Sequence, residues 1–191
     1  MIPGPKIQPH LRRLVAETEE TAHLCILEAA RVIYIDKIEP ARSVRMITRI
    51  GASNPVHCTS VGKAILAFLP PERAAEVIRR IRFERPTNRT IATPEALRTE
   101  LEKTRRRGYA VDDEELEEGL RCIAVPLLDA QRQPVAAISI SGPSFRVTAQ
   151  KLPSIANHLL TCVRAISADM GYVSSSRAAR NATWTPTTAS A

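Results

Sequence analysis

Apolar positions along this chain recur with two different periods, and the switches between them mark out its elements. Residues 8–18 place Leu11, Leu14 and Val15 on one side of a short helix. Residues 21–28 and 32–38 are rich in β-formers and meet at Ala29-Ala30-Arg31, which predicts a hairpin. Residues 45–50 read as a third strand stopped by Gly51, and the turn chemistry of residues 51–55 reads as a loop. Thr59 or Ser60 can cap a helix to about Leu69, whose inner face is Val61, Ala64, Ile65 and Phe68. Lys63, one turn in, is expected on the surface of that helix. Pro70-Pro71 ends it and opens a second helix to about Ile81, followed by a polar, irregular stretch over residues 82–92.

The next helix carries its own punctuation. Thr93 stands at the N-cap, Pro94 at the first helical position and Glu95 in the first turn. Arg105, Arg106 and Arg107 sit at the negative pole, and Gly108 lies just beyond. A short strand over 109–112 and a second hairpin over 121–129 and 134–141 follow. A long helix over residues 148–172 presents Leu152, Ile155, Leu159, Val163, Ile166 and Met170 at steps of three and four. Helices interleaved with hairpins predict an antiparallel sheet covered by helices.

Composition narrows the class. At 191 residues the chain suits one domain with a real core, and with 4% aromatic residues that core must be aliphatic. No apolar run approaches the ~20 residues of a membrane-spanning helix, and the first residues lack the apolar core of a signal peptide. The four cysteines are scattered, so reduced thiols and a cytoplasmic setting are expected. No metal-ligand spacing or cofactor motif is present, and neither metal nor cofactor is expected. Net charge is +7 although Asp112, Asp113, Glu114, Glu115, Glu117 and Glu118 crowd one loop. The basic remainder reads either as attraction for DNA or anionic ligands, or as a solvated surface.

Chemistry concentrates near the second hairpin. Val135, Ala137, Ser139 and Ser141 share one strand parity, and Cys122, Ala124 and Pro126 share one on the partner. Small side chains there leave volume, and hydroxyls orient a ligand without fixed charge. The alternative is a half-exposed sheet with both serines in water. Asp112 ends a strand beside this wall, as a ligand acceptor or a turn cap. Backbone amides at Gly51 and Ala52, helped by the start of the helix near Thr59, could hold a carboxylate. His57 is expected to be structural, and Cys122 a buried small residue rather than a nucleophile.

Three motifs together resemble the effector-binding domain of the IclR family of bacterial transcriptional regulators. They are IGASNPVHCTSVGKAILA (residues 50–67), RRRGYAVDDEELEEGLRCIAVPLLD (105–129) and PVAAISISGPSFRVT (134–148). The resemblance spans roughly residues 8–172. It implies a GAF/PAS-like α+β fold, a six-stranded antiparallel sheet with helices on both sides and a pocket against it. It implies homodimers or homotetramers and a small organic acid or aromatic effector. It matches Gly51 and Ala52 to carboxylate capture, Asp112, Cys122, Ser139 and Ser141 to a polar wall, and Met46 and Leu120 to apolar lining.

Residues 1–7 then read as a remnant or linker, 8–172 as the effector domain and 173–191 as a disordered tail. No recognition helix fits ahead of residue 8. Operator DNA is therefore expected to be met only through a winged helix-turn-helix domain outside this chain, with no membrane contact. Two other readings stay open. One is an enzyme on a similar scaffold using Asp112, Cys122 or His57, although no nucleophile–base–orienter set is visible. The other is a dimerisation module with no ligand.

Overall fold

The computed structural model describes residues 4–171. Helix α1 (Gly4–Thr18) leads into the hairpin β1 (Thr21–Glu28) and β2 (Arg31–Ile38). Strand β3 (Ser53–Pro55) precedes α2 (Ser60–Phe68), α3 (Pro71–Arg80) and α4 (Pro94–Arg107). Strands β4 (Ala110–Asp113), β5 (Leu120–Leu128) and β6 (Pro134–Pro143) follow, and a 3₁₀ turn at Ala149–Lys151 runs into α5 (Leu152–Asp169). All six strands form one antiparallel sheet in the order β3-β2-β1-β6-β5-β4.

Alternation along the strands builds two cores. Ala22, Leu24, Ile123, Val125, Ile138 and Ile140 point to one face and bury the apolar sides of α1 and α5. Ile7 is fully buried there, so residues expected to be a remnant or linker already belong to α1. Cys25, Val32, Tyr34, Ala110, Ala124 and Ala137 point to the other face, under α2 and α4. The α5 stripe read from spacing is the packed one, with Ile155, Leu159 and Ile166 buried. The proposed tail lies outside the described residues.

The punctuation of α4 is as the sequence predicts. Thr93 accepts a hydrogen bond from the Ala96 amide at 3.2 Å, and Gly108 closes the helix at φ 83° in the left-handed region. Thr93→Ala removes that acceptor, and the urea midpoint should fall by the equivalent of about 1 kcal/mol. An unchanged midpoint would mean that water replaces the cap at no cost.

The third strand is displaced from its expected position. Residues 45–50 form no strand, and the edge of the sheet is taken by Ser53–Pro55, which the turn chemistry assigned to a loop. Ile47 and Ile50 are 73% and 60% exposed, so the β-favouring composition there finds no neighbouring surface to bury against. Side chains tether residues 39–50 instead. Arg45 donates to Glu39 at 2.7 Å, and Arg146 donates to the Val44 carbonyl at 2.7 Å.

Candidate functional site

Register brings the polar residues together. Asp112 on β4 pairs with Cys122 on β5, Cys122 with Ser141 on β6, and Ser141 with Thr21 on β1. One row further along, Ala110, Ala124, Ser139 and His23 are likewise successive partners. Two rows thus cross four strands on the face beneath α2, and all eight residues are buried. Leu120 has the same parity as Cys122 and extends this face. Met46 is half-buried at the far end, where its carbonyl accepts a hydrogen bond from the Thr21 hydroxyl at 3.2 Å. His23 Nε2 meets the Thr48 hydroxyl at 2.9 Å, and its Nδ1 faces the Ser139 hydroxyl at 3.5 Å. Residues 46–48 therefore border the rows on the β1 side.

Helix α2 lies across this floor because its own residues are small and its start is fixed. Thr59 caps it by accepting the Gly62 amide at 3.3 Å and donates its hydroxyl proton to the Pro55 carbonyl at 3.0 Å. A side chain at Gly62 would collide with the Val56 carbonyl, so only glycine lets the first turn sit this close. The amides of Ser60 and Val61, at the first two helical positions, have no intrahelical acceptor. Both residues are buried.

The expectation for Lys63 is corrected. Its exposure is 0%, and its ammonium forms an ion pair with the Glu115 carboxylate. The acidic loop curls inward to supply that partner. Asp112 Oδ1 accepts the amides of Glu115 at 2.8 Å and Leu116 at 3.3 Å, and Thr87 and Thr90 hold the Glu114 and Glu115 carbonyls. Asp112 is thus a turn cap and part of the polar floor at once.

Gly51 and Ala52, expected to offer amides to a carboxylate, lie apart from the buried rows. Both are exposed, and both amides are spent within the fold, Gly51 on the Tyr34 carbonyl at 2.8 Å and Ala52 on the Arg49 carbonyl at 3.0 Å. The positive φ of Gly51 serves this turn. Lys63, Glu115, Thr21 and His23 were not among the expected site residues. Strand alternation could have found Thr21 and His23, which share parity with Cys25. Nothing local marks Lys63, a cation within an otherwise small and apolar helix.

Burial sets the charge states. It raises the Asp112 carboxyl to about 7 against the downward pull of Lys63, and it raises Glu115 as well. It lowers His23 to about 3, so the imidazole is neutral at physiological pH, and the Lys37 cation adds to this effect. It pushes Cys58 up to about 12 and Cys122 well above its ordinary value. Protonated thiols are poor nucleophiles. His57 Nε2 meets the Glu84 carbonyl at 2.9 Å, and its ring lies 5.1 Å from that of Phe83, which fits its expected structural role. Among the described residues, no group of three or more His, Cys, Asp or Glu could hold a metal ion, and no helix is long and apolar enough to cross a membrane. A surface groove of about 460 Å³ lies elsewhere, between α2, β5 and α5, lined mainly by Phe68, Pro126, Leu128, Leu160 and Val163. It offers few polar groups to orient a ligand, whereas the buried rows offer many.

Comparison with known proteins places this arrangement. The family model described as "Bacterial transcriptional regulator IclR C-terminal" matches residues 5–168. The HTH-type transcriptional regulator KdgR of Escherichia coli is 41% identical over 162 residues, covering 85% of this chain and 62% of KdgR. The chain thus spans less than two thirds of that relative. The crystallised C-terminal domain of E. coli KdgR superposes with a TM-score of 0.80 at 38% identity, over 88% of this chain and 98% of that domain. The Thermotoga maritima IclR structure gives 0.83 at 38% identity, over 88% of this chain and 68% of that one. The inducer-binding domain of the PobR transcription factor from Acinetobacter, a double mutant in complex with 3-hydroxybenzoic acid, gives 0.76 at 27% identity, over 83% of this chain and 94% of that domain. The chain belongs to the IclR family of bacterial transcriptional regulators, and what it matches is the family's C-terminal domain.

Proposed function

We propose that this domain binds a small organic acid between the first turn of α2 and the polar rows of the sheet, without transforming it. The observation that carries this reading is the unbroken run Asp112–Cys122–Ser141–Thr21 across four strands, buried on the sheet face that α2 covers. Hydroxyls and a carboxylate gathered on one buried face can orient a ligand by hydrogen bonds without a fixed positive charge. The Ser60 and Val61 amides, at the positive end of α2, take the role first given to Gly51 and Ala52 and receive the carboxylate. The PobR domain, which holds an aromatic acid on the same fold, supports this class of ligand.

The ligand would favour one conformer of an attached regulator and so bias DNA binding by a winged helix-turn-helix domain outside these residues. Dimers or tetramers in the cytoplasm are the expected setting. Protonated thiols and the lack of a nucleophile–base pair weigh against catalysis.

The test is a thermal-shift and calorimetric titration with small carboxylates. A bound acid raises the melting temperature by mass action. Ser141→Ala removes one hydroxyl from the centre of the row and adds no bulk, and it should weaken the bound acid about tenfold. Wild-type affinity in this variant would remove the row from the binding site.

A further inference from the structure

The apolar groove between α2, β5 and α5 takes no part in the site described above. It exists because the sheet narrows there. Among the described residues, β4 begins at Ala110 opposite Ala124 and leaves residues 125–128 of β5 with no strand beyond them. Phe68 closes the groove from the end of α2, and Leu160, Val163, Arg164 and Ser167 wall it along α5. Of the described residues that line it, only Arg164 and Ser167 carry polar side chains. Its volume of about 460 Å³ holds one aromatic side chain with room for backbone beside it.

This groove lies where α5 runs out. The helix ends at Asp169, and Gly171, at φ 69° in the left-handed region, turns the chain off the helix axis. Residues 172–191 follow, and Trp184 is both the single tryptophan of the chain and the one large apolar side chain after Val173. Thirteen residues lead from Gly171 to Trp184, a reach of up to about 43 Å when extended. The wall from Leu160 to Ser167 occupies only about 10 Å of helix. Closing a loop of this length costs little more than closing a shorter one. The tether also holds the indole at an effective concentration on the order of millimolar, which a free partner has to exceed.

We infer that the segment 172–191 folds back over this groove on its own chain, with Trp184 seated in it. The indole buries its apolar area against Phe68, Leu128, Leu160 and Val163. At the rim, the Arg164 guanidinium lies over the ring face and the Ser167 hydroxyl oxygen accepts the indole N–H. Because α2 covers one face of the sheet and α5 the other, the segment becomes a strap that ties the two helical layers together across the flank β4 leaves open.

Fluorescence of the full chain tests the strap directly, because Trp184 is its sole indole. In the native chain the emission should lie to the blue of that in urea, and acrylamide should quench it several-fold less. Leu128 belongs to neither core, so Leu128→Lys places a charge in the groove at little cost to the fold. It should return emission and quenching close to their values in urea while the circular dichroism stays native. Should that variant unfold, Ser167→Glu crowds the rim of the groove and is read in the same way. Trp184→Ala should lower the melting temperature by about 2–4 °C. A native indole as quenchable as in urea overturns the inference, as does an unchanged melting temperature in Trp184→Ala. Shielding that persists in the folded groove variant seats Trp184 elsewhere and overturns it too. Shielding lost on dilution puts the segment on a second copy and overturns the strap within one chain.

Discussion

Lys63→Met should cost about 3–5 kcal/mol of folding stability, the largest loss expected from any single change in this domain. The methionine fills nearly the same volume, so the loss does not come from a cavity. It comes from Glu115, which is left buried with no cation beside it. Asp112 compounds the problem, because the Lys63 charge is what pulls its carboxyl down against burial. The double variant Lys63→Met/Glu115→Gln should regain most of what the single one loses, since a buried ion pair exchanged for neutral groups of similar size is often close to neutral. Chemical denaturation of wild type, single and double variants makes the comparison. A double variant as unstable as the single one would show that Lys63 matters through packing.

The second large effect is a pH response hidden by cancellation. The folded Asp112 carboxyl titrates at about 7 instead of its ordinary 3.8, so between those values the native state holds a proton that the unfolded chain has released. Its contribution is present in full below 3.8 and is lost as the pH rises through 7. The folded His23 imidazole titrates at about 3 instead of 6.5, so between those values the unfolded chain binds a proton that the native state refuses. Its contribution is present above 6.5 and is lost as the pH falls through 3. Each slope approaches about 1.4 kcal/mol per pH unit, with opposite sign, and the two overlap from 3.8 to 6.5. Asp112→Asn should therefore become steeply acid-labile across that window, and His23→Gln should instead lose stability toward neutrality. Melting curves from pH 4 to 8 read both slopes. Parallel profiles for the two variants would contradict the pairing of signs.

Much of this fold is visible in residue order, because its signals are local. The α4 boundaries follow from Thr93, Pro94 and Gly108, and the β5–β6 hairpin from alternation. Two sheet faces follow from the same alternation, which is why Cys122, Ser139 and Ser141 could be set side by side before any coordinates. What escaped was decided by tertiary contact. Residues 45–50 have strand composition, yet the sheet edge went to Ser53–Pro55, because pairing with β2 there satisfies backbone groups that a propensity scale does not see. Gly51 and Ala52 looked like anion-binding amides because glycine permits close approach. Their N–H groups are instead donated to the Tyr34 and Arg49 carbonyls, respectively. Lys63 misled for the opposite reason. A lysine on a helix is nearly always solvated, and its burial depends on Glu115, 52 residues away.

The flanks of the sheet set a limit on how copies of this chain can meet. On one side β3 offers three residues and ends in Pro55, which has no N–H to give. On the other, β4 offers four and ends in two aspartates. Among the described residues, neither margin presents the long, flat ribbon of unpaired amides and carbonyls that seeds cross-β stacking. Among the described residues, crowding at high concentration therefore finds no ready-made template for fibre growth at the margins of this sheet.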